Sequence, residues 1–124
     1  MPSPVDPSPV TSTAAGESPP VLLLVRDLIF IARITAVARS IGAATRTIRD
    51  PIQLAGADGR LVLVDLNLPG AIAAAAAWSR QTGRPAIGFV SHVDAATIAA
   101  AREAGIDKVL PRSHFVQVLA ELLA

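Results

Sequence analysis

Polar side chains able to do chemistry stand wherever a short apolar run of this chain stops. Arg26-Asp27 follows VLLLV, Asp65 follows LVLV, Ser91 follows AIGFV, and Pro111-Arg112 follows KVL. A carboxylate at the end of an apolar strand is costly to bury without a partner. Asp65 is therefore either a turn-former in water or a group held in a pocket for use. If the runs are strands lying in the order 2-1-3-4-5, these side chains converge on one rim. A carboxylate there can act as a nucleophile, and a hydroxyl and a guanidinium can bind a transferred oxyanion. The second carboxylate can help to hold Mg²⁺. Polar residues end strands in every α/β protein, so one such position means little. Several at matched places favour a pocket.

The elements that would position these groups alternate. Apolar runs at 21–25, 44–48, 61–64, 86–90 and 108–110 are separated by stretches with helical spacing. Phe30, Ile34, Val37 and Ile41 fall on one helical face that Gly42 can end. Residues 51–57 are a short, weak helix candidate. The alanine-rich stretch 70–81 reads as a helix stopped by Gly83. Asp94 can cap a helix through Ala104, and Ser113 can cap a last helix with a Phe115, Leu119 and Leu122 stripe. Five strand–helix pairs imply an α/β fold, a doubly wound five-stranded parallel sheet covered on both faces. Such sheets bind ligands beyond the carboxyl ends of their strands.

Composition sets the outer limits. The chain has 124 residues, enough for one core. Formal net charge is +1, with ten arginines and Lys108 set against ten dispersed acids, and no basic patch interleaved with aromatics. Nucleic acid is not indicated as a direct partner. No cysteine is present, which excludes disulfides and thiolate metal sites. Residues 1–20 carry six prolines among Ser and Thr, and read as a disordered tail in front of a domain spanning 21–124. The sequence shows neither a signal peptide nor a membrane span, so a soluble, cytoplasmic molecule is expected.

Over residues 21–124 the chain resembles the receiver domain of two-component response regulators, of the chemotaxis-regulator type. The resemblance rests on LVLVDLNLPG (61–70), on Asp27 after the first strand, on GFVSH (88–92), and on AGIDKVLPRS (104–113) before the last helix. It implies the flavodoxin-like strand order 2-1-3-4-5, which spacing alone does not fix. It also implies that a kinase phosphohistidine donates its phosphoryl group to Asp65 in the presence of Mg²⁺. Asp27, Asp65 and the Asn67 backbone carbonyl would then surround the metal, and the Ser91 hydroxyl would follow the phosphoryl group. Arg112 stands where the family has a lysine, with Ser113 in place of the proline that follows it.

Two departures bear on function. The family usually has two adjacent acids after strand one, where this chain has Arg26 and then Asp27. The family's aromatic switch position near the end of strand five is matched by Val109, and the chain has no tyrosine. An arginine among the acids would weaken any Mg²⁺ site, neutralise the pocket permanently and lower the pKa of Asp65. The reading carried forward is a stand-alone, phosphorylation-independent pseudo-receiver acting through protein contacts. The alternatives are a working phosphorelay receiver phosphorylated on Asp65 with Mg²⁺, should Arg26 point away, and an Arg26 that clamps the incoming phosphoryl group. Apart from a weakened Mg²⁺, no cofactor is implied.

Other tempting residues read as ordinary. Ser91 and His92 are adjacent on a strand end and point to opposite sides, so a Ser–His pair is disfavoured. His114 has no metal-like partner at helical spacing, and NLPG lacks the several glycines of a phosphate-cradling loop. The chain is not expected to be an enzyme in its own right. Partners are a better expectation: a histidine kinase or a downstream effector. Leu28, Ile29, Ile31 and Ala38 on the first helix, and Val116, Leu123 and Ala124 on the last, put apolar residues outside the core stripes. A docking or homodimer surface is expected where those helices meet.

Overall fold

A computed structural model describes residues 19–91 and 94–124. The expectation of disorder for the tail and the reading of His92 lie, apart from Pro19 and Pro20, outside the described residues. Five parallel strands form one sheet in the order β2-β1-β3-β4-β5: β1 (Val21–Leu24), β2 (Thr45–Ile48), β3 (Leu61–Asp65), β4 (Ala86–Val90) and β5 (Lys108–Pro111). Among the described residues five α-helices accompany them: α1 (Leu28–Ser40), α2 (Ala71–Thr82), α3 (Ala95–Ala104), α4 (Arg112–Gln117) and α5 (Leu119–Leu123).

Period-two alternation divides the strand residues between two cores. Leu22, Leu24, Val62, Val64 and Val90 face α2, α3 and the turn carrying Leu54. Val21, Leu23, Leu63 and Phe89 face α1, α4 and α5. Both faces are covered, which is why the three central strands are apolar at nearly every position. The strand ends are level: Leu24 pairs with Ile48 and Val64, Asp65 with Phe89, and Val90 with Pro111. Whatever follows each strand therefore emerges on the same rim.

Several local expectations are corrected. The 51–57 stretch forms a 3₁₀ turn over Pro51–Leu54, with Asp50 accepting from the Ile52 amide. The buried face of α1 is Phe30, Ile34 and Ala38, while Ile41 is 45% exposed. Ile41 is the residue at which the helix stops, with φ −111°, so it leaves the helical phase. The last helix does not start from a Ser113 cap. Pro111, at φ −62° and ψ 149°, is the cap, two residues earlier, and leads directly into Arg112. A turn at Val118 separates α4 from α5, and Leu123 continues the face of Phe115 and Leu119 at steps of four, so it is buried rather than flanking. The helix ends that match expectation have visible causes. Asp94 accepts from the Ala96 amide and the Thr97 hydroxyl to start α3, and Gly83, at φ +71°, stops α2.

Candidate functional site at the carboxyl ends of the strands

Asp27 begins the site. Its backbone is extended and its side chain caps α1: Oδ1 accepts from the amides of Ile29 and Phe30 at 3.0 and 3.1 Å. The other oxygen, Oδ2, accepts from Arg112 Nη2 at 3.0 Å. The guanidinium of Arg112 also lies over the Phe30 ring, 3.9 Å from its centroid. Phe30 is fixed in turn by Phe89 at 4.8 Å and Phe115 at 5.8 Å between ring centroids. A planar cation suits this place, since it can bond a carboxylate along its edge and stack on a ring with its face. The hydrogen bond from Arg112, with the Phe30 amide next, holds the Asp27 carboxyl below its ordinary value near 3.8.

Arg26 turns the other way. Its Nε donates to the Arg49 carbonyl at 2.9 Å, and it lines a hollow with Asp50, Pro51, Ile52, Pro69 and Gly70. The expectation that Arg26 sits among the acids is thus replaced: the cation on Asp27 comes from Arg112. Neighbouring residues at a strand end point to opposite faces. Asp27 starts α1 and Arg112 starts α4, and both helices cover the same face of the sheet. Arg26 heads for the face of α2 and the 3₁₀ turn.

Asp65 ends β3 and is half-buried. Its Oδ1 accepts from the Asn67 amide at 3.0 Å, and its carbonyl accepts from the Leu68 amide at 3.1 Å, which folds the Leu-Pro-Gly loop back on the strand. Asn67 Oδ1 accepts from the Ser91 amide at 2.7 Å, tying the loop after β3 to the end of β4. The sequence-derived residues therefore fall into two groups on one rim, Asp65–Asn67–Ser91 and Asp27–Arg112. Val109 is half-buried at the edge of the α2–α3 core, and His114 is exposed.

Asp27, Asp65 and the Asn67 carbonyl were the expected holders of Mg²⁺. As the side chains stand, Asp27 is partly exposed but already paired, so Mg²⁺ there would contest the carboxylate with Arg112. Both oxygens of Asp27 are engaged, three hydrogen bonds in all, and a hard cation needs carboxylate oxygens that it can reach. Among the described residues, no group of three or more His, Cys, Asp or Glu side chains is placed to hold a metal.

Sequence reasoning missed three features. One is Phe30 as the platform for Arg112. Another is the Asn67 side chain as the tie to Ser91. The third is Asp27 as a helix cap, which had a signal: an Asp directly before an apolar helical run is a common N-cap pattern.

The strand order and the rim at the carboxyl ends define a class of fold, that of the response-regulator receiver domains. The phosphorylated cyanobacterial phytochrome response regulator RcpA superposes with a TM-score of 0.72 at 14% identity, covering 86% of this chain and 91% of that one. A CheY-like receiver domain protein from Methanospirillum hungatei matches with a TM-score of 0.71 at 13% identity, over 86% and 94% of the two chains. The BeF3-activated receiver domain of DrrB, from Thermotoga maritima, gives 0.72 at 12% identity, again over 86% and 94%. At such identities the likeness is one of fold. No family model matches the sequence, and no curated protein matches it.

Proposed function

We propose that this chain is a signalling module of the response-regulator type, acting through protein contacts and independently of phosphorylation. The observation that carries this reading is the carboxylate of Asp27, which caps α1 with one oxygen and pairs with Arg112 through the other. A receiver that uses Mg²⁺ needs that carboxylate for the ion. Here a side chain neutralises it, so the pocket lacks the charge that would draw in metal and phosphoryl donor together. The role first assigned to Arg26 passes to Arg112. Asp65 keeps the phosphoacceptor position, and Ser91 the position of the hydroxyl.

Protein partners, a kinase or a downstream effector, are supported by Leu28 and Ile29 in the first turn of α1, 64% and 84% exposed beside the rim. The packing of α1 against α5 makes that face continuous with the last helix, which keeps a homodimer within the same reading. Among the described residues no helix is long and apolar enough to cross a membrane. A cytoplasmic setting and the absence of a turnover reaction belong to this proposal.

A second reading, a working phosphorelay receiver, is favoured by Asp65, Asn67 and Ser91 standing together at the ends of β3 and β4. In it an Asp65 oxygen attacks phosphorus, the P–N or P–O bond to the donor breaks, and the donor leaves with the electron pair. Incubation with acetyl phosphate or beryllofluoride, with and without Mg²⁺, followed by intact mass and NMR, separates the two. The proposal expects no adduct. A Mg²⁺-dependent phosphoryl mass that disappears in Asp65→Asn overturns it.

A further inference from the structure

A hollow of about 620 Å³ opens between α1 and α4, lined by Ile29, Phe30, Arg33, Arg112, Ser113 and Val116. One side chain belongs both to this hollow and to the rim. Arg112 bonds Asp27 Oδ2 with Nη2 and places its guanidinium carbon over the ring of Phe30, a wall of the hollow. A rigid planar group cannot leave the carboxylate without also changing its overlap with the ring. Phe30 cannot follow it, being 3% exposed and packed against Phe89 and Phe115.

We infer that Arg112 is the resident counter-ion of Asp27 and couples that carboxylate to the α1–α4 hollow. While the pair is made, the guanidinium covers the Phe30 face. When a competing cation takes Oδ2, or the charge of Asp27 is removed, the guanidinium loses its anchor and uncovers the ring. The hollow then gains an aromatic floor next to the exposed Ile29. The chain has no tyrosine or tryptophan near the end of β5 to relay events at the rim, and Val109 has no comparable rotamer to move. Arg112 supplies a relay on the opposite face of the sheet. The inference rests on the proposed function only in treating Asp27 as a carboxylate that a cation can contest.

The test uses the full chain, labelled at Ile and Val methyls, titrated with MgCl₂ alone and followed by NMR. Wild type, Arg112→Gln, Arg112→Lys and Asp27→Asn are compared. Removing a full positive charge at contact distance should strengthen Mg²⁺ binding in Arg112→Gln by about tenfold or more, while Arg112→Lys stays close to wild type. The Ile29 and Val116 methyls of metal-free Arg112→Gln should move in the direction that wild type takes as Mg²⁺ saturates. Asp27→Asn retains a good cap residue, so it should fold, bind Mg²⁺ weakly and show the same methyl displacement without metal. Equal Mg²⁺ affinity in wild type and Arg112→Gln overturns the inference. So does Mg²⁺ binding that leaves Ile29 and Val116 unmoved, or an Asp27→Asn spectrum unchanged at those methyls. A phosphoryl adduct on Asp65 would end the phosphorylation-independent reading while leaving these shifts to stand or fall by themselves.

Discussion

Leu66 occupies the space that a side chain at position 88 would need. A Cβ built on Gly88 falls 2.5–2.7 Å from the Leu66 Cγ and methyl carbons. Leu66 also donates its amide to the Phe89 carbonyl at 3.0 Å, so the first residue of the loop after Asp65 is clamped onto β4 from both sides. The glycine is a condition for placing Asp65 and Asn67 on the rim.

Gly88→Ala is expected to destabilise the domain by about 1–3 kcal/mol, since the added methyl overpacks a site with no room to give. Urea denaturation measures the loss. The Asp65 and Asn67 amides should shift in the same variant, because Leu66 must move and carries the loop with it.

The Asp27 carboxyl titrates below its ordinary value near 3.8, chiefly through the Arg112 hydrogen bond. A carboxyl whose pKa is depressed on folding stabilises the fold above its unfolded pKa, and that contribution is lost as pH falls through the folded value. Arg112→Gln should raise the Asp27 pKa towards 3.8, with the Phe30 and Ile29 amides retaining part of the depression. Its stability deficit relative to wild type should be full at neutral pH and shrink once the pH falls below the ordinary carboxylate range. Carboxyl ¹³C NMR and melting curves recorded against pH check both statements.

Phe115 is fully buried and stacks on Phe89 at 4.8 Å between centroids, joining α4 to the sheet. Phe115→Ala should cost about 3–5 kcal/mol. That is a large part of the 5–15 kcal/mol that typically holds a domain together. Chemical denaturation reads the loss. Since Phe115 also supports Phe30, the Ile29 and Phe30 amides should broaden or shift although the mutation is on another helix.

Ile29 projects from the first turn of α1, 84% exposed, so replacing it removes no core contact. Ile29→Glu should leave stability within about 0.5 kcal/mol of wild type. Wild type is expected to associate by sedimentation at high micromolar concentration, and Ile29→Glu to abolish that association. Wild type that sediments as a monomer would reserve this face for a different protein.

The sequence by itself determined the alternation of strand and helix, the apolar character of the central strands, and the polar residues that terminate them. It also marked Asp94 at the start of α3 and Gly83 at the end of α2. These are local properties: period-two and period-3.6 patterning, caps and breakers act within a few residues and are written in order along the chain. Tertiary structure alone decided which charges meet. Arg26 is the neighbour of Asp27 in sequence, yet strand-end geometry sends the two side chains to opposite faces, and the partner of Asp27 arrives from Arg112, 85 residues away. The same holds for the bond from the Ser91 amide to Asn67, which exists only because β3 and β4 lie side by side with level ends. Long-range pairing depends on strand order and on which face each helix covers, and no window of sequence contains both partners.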